Sequence, residues 1–461
     1  MLSQFRRRLL VLAGPLSILL WSGWEVAASV TDFQPPNILI ITLDHLGHND
    51  LQLYNSQSPI FTPHLDQLAR EGVQLTNFYT IGSTSTETRA SLLTGRIPRR
   101  HSTPSTWAAL SDRARPGLRS GEILISQALK QSSTPYATAL IGTSQIGLSS
   151  GSNPLDFGFD EIVEINFDEQ GRMEDLDNPN SAFDLPVLNG DRFAMKTIDF
   201  IESNTRENKP WFIYLPIDAM NSDPEIPAEY TSNEHASAFP GEKGQKEKEV
   251  DQQAVLSILD DAMGLIFDAL DSLGIAENTF VLFTAENGSD SESPASFKGK
   301  PGTSRDQDNK LNENRIKVPS LAMWKGKIPP GQIVQTPLWT PDIFHACIHL
   351  AGVSVPGDRI YDGKNPLPVL TGETNTSPHN AFYFEQGSKS ALVSGDWKIV
   401  RRSTTDPWQL YYIREDKLER ENLAEQKPEL VKKLGDVYLQ KKTEVNSYRV
   451  ILESDEECDC K

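Results

Sequence analysis

The chain is poor in cysteine, in basic residues and in long apolar runs. Only three cysteines occur in 461 residues, so no framework of bridges can be read from their spacing. Cys347 lies in an apolar helical pattern, Phe344 to Leu350, and reads as a core residue. Cys458 and Cys460 sit in an acidic tail, Glu456-Glu-Cys-Asp-Cys-Lys461. A frayed terminus is the preferred reading there, with a two-thiol metal site and a disulfide, strained or intermolecular, as alternatives. Lysine and arginine number 44 against 63 aspartates and glutamates, a formal net charge of −19. That balance excludes sequence-independent nucleic-acid binding, which rests on basic side chains neutralising phosphates. It also opposes long-range attraction of polyanions, so an anion would need a local basic pocket. The leading apolar stretch, Leu9 to Trp21, is interrupted by Gly14-Pro15 and is too short for a comfortable membrane span. No internal repeat or low-complexity tract is present.

What is there begins with a targeting segment. Arg6, Arg7 and Arg8 precede the apolar stretch, and Val26-Ala-Ala28 follows it with small residues for cleavage. Residues 1–28 therefore read as a signal peptide cut after Ala28, with an uncleaved anchor as the alternative. The expectation is an exported protein, periplasmic or extracellular, with no membrane span after cleavage. Loss of the segment removes three arginines and Glu25, taking the net charge to −21.

A chain of this length can bury at least one large core, and two domains are the natural expectation. From Pro36 to about Ala351, short β-branched runs alternate with helical stretches. Asn37 to Leu43, Gly72 to Tyr79, Thr138 to Ile141, Trp211 to Leu215 and Thr279 to Thr284 read as strands. Leu65 to Arg70, Arg192 to Glu202 and Val250 to Leu273 read as helices, and Arg89 to Thr94 as the start of one. This alternation predicts an α/β fold, a largely parallel central sheet flanked by helices. Ligands in such sheets bind beyond the carboxyl ends of the strands, where Asp44 and Glu286 fall. Thr284 to Lys317 reads as a long, polar loop. After Gly352, closely spaced strands at 382–384, 391–393, 397–400 and 409–413 and a final helix from about Pro428 to Lys441 predict a smaller α+β unit with an antiparallel sheet. The expected boundaries are 36–355 for the α/β domain and 356–461 for the C-terminal subdomain.

The segment Gly82-Ser-Thr-Ser-Thr-Glu-Thr-Arg-Ala-Ser-Leu-Leu-Thr-Gly-Arg96 resembles the nucleophile segment of the sulfatase family, matching it letter for letter from Arg89 to Arg96. Pro36-Asn-Ile-Leu-Ile-Ile-Thr-Leu-Asp-His-Leu-Gly47 is similar to the family's opening strand and metal turn. Thr62-Pro-His-Leu-Asp-Gln-Leu-Ala-Arg-Glu-Gly-Val73 is similar to the helix after it, and Asn153-Pro-Leu-Asp-Phe-Gly-Phe-Asp160 to its Gly-Phe-Asp segment. Asn278-Thr-Phe-Val-Leu-Phe-Thr-Ala-Glu-Asn-Gly288 looks like its late metal-binding strand. Gly395-Asp-Trp-Lys-Ile-Val400 and Glu421-Asn-Leu-Ala424 fit as well, so the resemblance spans nearly the whole mature chain.

The resemblance implies an alkaline-phosphatase-like fold and sulfuric ester hydrolase ancestry. It also implies one divalent ion, usually calcium, a formylglycine nucleophile, and a His or Lys that protonates the leaving alcohol. Cations are needed there because a sulfate ester develops charge on its equatorial and leaving oxygens. Carried over by position, Asp44, His45, Glu286 and Asn287 are the metal candidates, with His45 and Glu286 standing where the family has aspartates. Calcium prefers oxygen ligands, whereas ligation by His45 would favour zinc or another transition ion. The alternative has His45 turned outward and Glu286 filling the cavity without an ion. Ser85, Arg89 and Lys300 are the catalytic candidates. Ser85 stands at the family's cysteine and Glu87 at its proline, which disfavours formylglycine formation. Unmodified, Ser85 could act as a metal-activated alkoxide with His45 as base, but the preferred reading is a helix N-terminal serine bonded to backbone N–H groups. Lys300, with Lys298 second, matches the sulfate-binding lysine. Thr143 and Gln145 replace a lysine and a histidine, and Asn221 replaces a histidine. These three can hydrogen-bond a substrate but cannot protonate a leaving alcohol. His48 and His101 read as solvated surface or loop residues. The function expected is an exported sulfatase-family protein with weak or no sulfatase activity and a residual anionic-ligand pocket for a small-molecule or glycan sulfate ester. The alternative is an active, divergent metal-dependent hydrolase of sulfate or phosphate esters that uses Ser85.

Overall fold

The computed structural model describes residues 34–456 apart from 57, 59, 102–117, 119–120, 144–145, 147–152, 168–172, 176–189, 218–244 and 289–310. Residues 1–28, expected to be a signal peptide, lie outside the described residues with Gln145, Asn221, Lys298, Lys300, Cys458 and Cys460, as does most of the 284–317 loop. At the centre stands β1 (Asn37–Leu43), paired in parallel with β6 (Trp211–Ile217) on one side and β7 (Thr279–Ala285) on the other. All three strands are buried along their whole length. Covered on both faces, they carry near-continuous Ile, Leu and Phe runs instead of alternating with polar residues.

Beyond β6 follow β3 (Ala137–Gly142), β4 (Glu161–Phe167) and β5 (Met173–Asp175). Beyond β7 follow β8 (Lys317–Met323), β2 (Val73–Tyr79) and β10 (Leu338–Trp339), with β9 (Gln332–Val334) also on β2. The pairings are parallel except for β8 against β7 and β2, and β5 against β4. Strand β8 is not among the expected strands; it is reached through a helical turn, Glu313–Ile316, at the end of the polar segment.

The helices α1 (Pro63–Glu71), α2 (Ser85–Thr94) and α3 (Pro98–His101) fall in the first half of the chain. Longer helices at Gly190–Arg206 and Gln245–Ser272 pack together, and Asp342–Leu350 packs on α2. Cys347 is buried in that last helix, as expected of a core thiol. A second sheet runs β11 (Phe382–Gln386), β12 (Lys389–Ser394), β13 (Trp397–Arg401), β14 (Gln409–Tyr412), antiparallel in chain order. The helix Pro428–Glu456 follows. The hydrophobic cluster of this sheet draws in Tyr79, Ile81, Ile97 and Trp339 from earlier in the chain, and residues from Pro35 onward form one compact unit.

Candidate active site

The carboxyl ends of β1, β6 and β7 are held level by backbone bonds that run past the strands. The Glu286 N–H donates to the Leu43 carbonyl at 2.8 Å, and the Asp44 N–H to the Ile217 carbonyl at 3.2 Å. Asp44, Glu286 and Asn287 are thereby brought together beyond the strand ends. Thr42 and Asp44 are two apart on β1 and so share a face.

Opposite them stands the start of α2. The helix begins at Ser85, four residues earlier than expected, so Arg89 lies in its second turn. Ser85 and Arg89 are then an i, i+4 pair on one face. The N-cap is Thr84, whose hydroxyl donates to Glu87 Oε2 at 2.7 Å. Thr84-Ser-Thr-Glu87 has the Thr-x-x-Glu spacing of a helix start, which explains Glu87 without reference to the nucleophile. The helix closes at Gly95, with φ of 69°. From Thr86 to Thr94 every residue of α2 is buried, so its register is fixed by packing all round.

The Ser85 hydroxyl does not cap the helix, contrary to the preferred expectation. It donates to Asp44 Oδ1 at 2.6 Å and accepts from Asn287 Nδ2 at 3.1 Å. Asn287 Nδ2 also donates to Asp44 Oδ1, at 2.9 Å. The His45 N–H donates to Asp44 Oδ1 at 2.9 Å and to Asn287 Oδ1 at 3.0 Å. That bifurcated bond goes with a backbone conformation side chains rarely take: His45 has φ of 53°. Non-glycine residues reach this left-handed region at a cost met by surrounding structure. The His45 ring is a third exposed and turns back toward the carboxylate, Nε2 lying 3.6 Å from Asp44 Oδ2.

Below this cluster lies a second, fully buried one. Arg89 Nε donates to both Glu286 oxygens, at 2.7 and 2.8 Å, with side-chain exposures of 1% and 0%. Thr42 adds a hydroxyl bond to Glu286 Oε1 at 2.7 Å, and the Tyr214 hydroxyl lies 3.4 Å from the same threonine. Burial is the larger influence on the Glu286 carboxyl and pushes it up, to about 7, against the pull of the Arg89 guanidinium. Removing one member of such a pair strands the other charge in a dry site, at a cost of about 3–5 kcal/mol.

These bonds bear directly on whether the residues fit a divalent ion. Calcium takes about six to eight oxygen ligands at about 2.3–2.6 Å. Here both Glu286 oxygens face the guanidinium, and Asp44 Oδ1 already accepts three hydrogen bonds. Asn287 Oδ1 is taken by the His45 N–H. The remaining carboxylate oxygen, Asp44 Oδ2, has His45 Nε2 3.6 Å away. In this arrangement the four candidates do not fit a calcium shell. Among the described residues, three His, Cys, Asp or Glu ligand atoms come within 4.8 Å of one another only at His64, Asp260 and Asp261. There Asp260 already serves α1 as a cap, accepting from the His64 and Leu65 N–H groups at 2.9 and 2.8 Å.

Thr143 follows β3 and is buried; its N–H donates to the Pro216 carbonyl at 2.9 Å. The approach is so close that a Cβ on Gly142, at φ of 129°, would lie 2.1 Å from that oxygen. No hydrogen bond joins Thr143 to the Ser85 cluster among the described residues. Of the two histidines expected at the surface, one is fully buried and His48 is half-buried. His101 is fully buried with Nε2 3.1 Å from Ser91 Oγ, and His48 packs edge-on to Tyr54 with ring centroids 4.4 Å apart. Burial drives both pKa values down to about 3, so neither is an acid for a leaving group at neutral pH. Sequence reasoning missed Thr42, Tyr214 and Gln386. Thr42 is legible from its spacing to Asp44, whereas Gln386 reaches Ser83 Oγ at 3.0 Å from the second sheet, a contact no local pattern announces.

Known proteins are similar to this chain over most of its length. N-acetylgalactosamine-6-sulfatase of Homo sapiens is 29% identical over 401 residues, covering 82% of this chain and 73% of that protein. N-acetylgalactosamine-6-O-sulfatase of Bacteroides thetaiotaomicron is 26% identical over 508 residues, covering 89% and 94%. The crystal structure of Ps i-CgsB in complex with k-i-k-neocarrahexaose shares the fold, with a TM-score of 0.72 at 21% identity over 90% of this chain and 94% of that one. A family model described as Sulfatase matches residues 36–353. With that match over most of its length and its fold shared with a solved structure, the chain belongs to the sulfatase family.

Proposed function

We propose that this is an exported family member, periplasmic or extracellular, that binds a sulfated or otherwise anionic glycan in the crevice and has weak or no sulfatase activity. The observation that carries the reading is the Arg89–Glu286 pair, which commits the guanidinium next to Ser85 to an internal carboxylate. A guanidinium so held contributes less to an incoming or developing anion than one facing it. Thr143, Gln145 and Asn221 serve as hydrogen-bonding groups, Lys300 as the cation for the anion, and the N-terminus of α2 adds a favourable dipole. Residues 36–355 form the domain that carries the crevice, and 356–461 the subdomain that reaches its rim through Gln386. The substrate class follows the relatives, which are named as sulfatases of N-acetylgalactosamine, or were solved with an oligosaccharide. Among the described residues no helix is long and apolar enough to cross a membrane.

The test pairs binding with turnover. Intact-mass analysis of the peptide containing Ser85 should give the unmodified serine, and aryl sulfate turnover with added calcium, zinc or manganese should stay at background. Calorimetry should give binding to a sulfated oligosaccharide, weakened at least tenfold by desulfation or by Lys300→Ala. Turnover abolished by Ser85→Ala would sink this reading. It would support the second one, an ester hydrolase using Ser85. That reading has one observation in its favour: the 2.6 Å bond from the Ser85 hydroxyl to Asp44, a base within reach of the proton.

A further inference from the structure

Members of this family typically bind a divalent metal, and the Ser85 cluster has the carboxylates for one, but three of their four oxygens are taken by protein hydrogen bonds. We infer that the Arg89 guanidinium is the resident counter-cation of this site, so that the crevice is assembled without a divalent ion. The inference deepens the binding reading given above and rests on it for what the crevice is used for. Its grounds are the bonds at three of the four positions. Both Glu286 oxygens accept from Arg89 Nε while Thr42 holds one of them from the strand side, which orients the carboxylate away from Asp44 and toward α2. The extra methylene of glutamate over aspartate gives the carboxylate the reach to meet the guanidinium. Asp44 Oδ1 is saturated by Ser85, Asn287 and the His45 N–H. Asn287 turns its carbonyl to that same N–H and its amide to Asp44 and Ser85. A cation at this position would have to displace these hydrogen bonds. The balance of charge points the same way. Fixed on Glu286, the guanidinium offsets one of the two buried carboxylates, and the second is hydrogen-bonded three times over.

The inference predicts a protein whose stability ignores chelators. Full-length mature protein, stripped with EDTA and dialysed, should unfold at the same temperature, within about 1 °C, with excess EDTA, calcium chloride or manganese chloride, because a ligand that binds the native state must raise that temperature. Zinc or manganese bound at His64, Asp260 and Asp261 would be recognised by its loss in His64→Ala and its survival in Asp44→Asn. Shortening the carboxylate and restoring an oxygen ligand, in the double variant His45→Asp with Glu286→Asp, should create a calcium-dependent rise of several degrees. Stoichiometric calcium binding by the parent protein that disappears in Asp44→Asn would overturn the inference, whether or not any variant folds. The two readings fail separately: turnover of an aryl sulfate by the EDTA-treated parent would defeat the binding function while leaving Arg89 as the counter-cation.

Discussion

Asp50 and His101 show how burial dominates the behaviour of single side chains. Asp50 is fully buried, accepts the Gly47 N–H through Oδ2, and has no partner at Oδ1; burial pushes its carboxyl up to about 7. The folded state therefore favours the protonated acid. Its contribution is fully present below the unfolded value of 3.8 and is lost as pH rises toward 7. His101 runs the other way. Burial holds it near 3, below its ordinary 6.5, so it stabilises the fold above 6.5 and that contribution fades as pH falls toward 3. Asp50→Asn should gain on the parent between pH 4 and 7, and His101→Gln, which keeps a bond to Ser91, should gain on it below pH 6. Each effect is at most about 5 kcal/mol, since a tenfold change in proton affinity corresponds to about 1.4 kcal/mol. Urea unfolding across pH 4 to 8 measures both; parallel pH profiles for parent and variants would refute the assignment. Neither behaviour is legible in the sequence. A histidine beside a motif looks the same whether its ring faces water or a helix, and only the packing of α3 against Ser91 decides.

Elements are more legible than side chains, for a physical reason. Strands β1, β6 and β7 are buried on both faces, so they appear in the sequence as near-continuous apolar runs, and the expected strand Asn37 to Leu43 matches β1 to the residue. Strand β8 carries Pro319 and follows a polar stretch, and proline argues against a strand interior, so no local pattern reveals its antiparallel insertion between β7 and β2. The expected start of α2 is late because its first turn is polar, while the cap that begins it, Thr84 with Glu87, is there to be read. The end of α2 gives a test at this scale. Gly95 adopts a left-handed conformation and its missing Cβ would lie 2.9 Å from three atoms of Phe344. Gly95→Ala should cost about 1–3 kcal/mol by combining backbone strain with overpacking, read as a lower denaturant midpoint at unchanged slope. An unchanged midpoint would mean that α2 and the helix Asp342–Leu350 are less tightly joined than the structure has them.

The molecule as a whole is joined across its two sheets by a buried charge. Lys398 of β13 is fully buried, with Nζ 2.6 Å from Glu419 and 3.2 Å from Glu313, while the Tyr79 hydroxyl donates to Glu313 at 2.7 Å. This ties the second sheet to the end of β2 and to the turn that leads into β8. Lys398→Met should destabilise the protein by about 3–5 kcal/mol, since it strands two buried carboxylates. Adding Glu313→Gln and Glu419→Gln should recover much of the loss. A single cooperative transition is expected for the parent; separate melting of the two sheets in the parent would show that the junction does not couple them. The backbone bonds from Glu286 to Leu43 and from Asp44 to Ile217 have a different consequence at this scale. Side chains alternate along a strand, so a slip of one residue in β1 would offer His45 to the crevice in place of Asp44 and turn Thr42 away from Glu286. The crevice is in this sense a vernier for the sheet. Chains assembled one notch out of step would lack the Ser85 contact altogether, and recovery of ligand binding on refolding would count the chains whose strands had aligned.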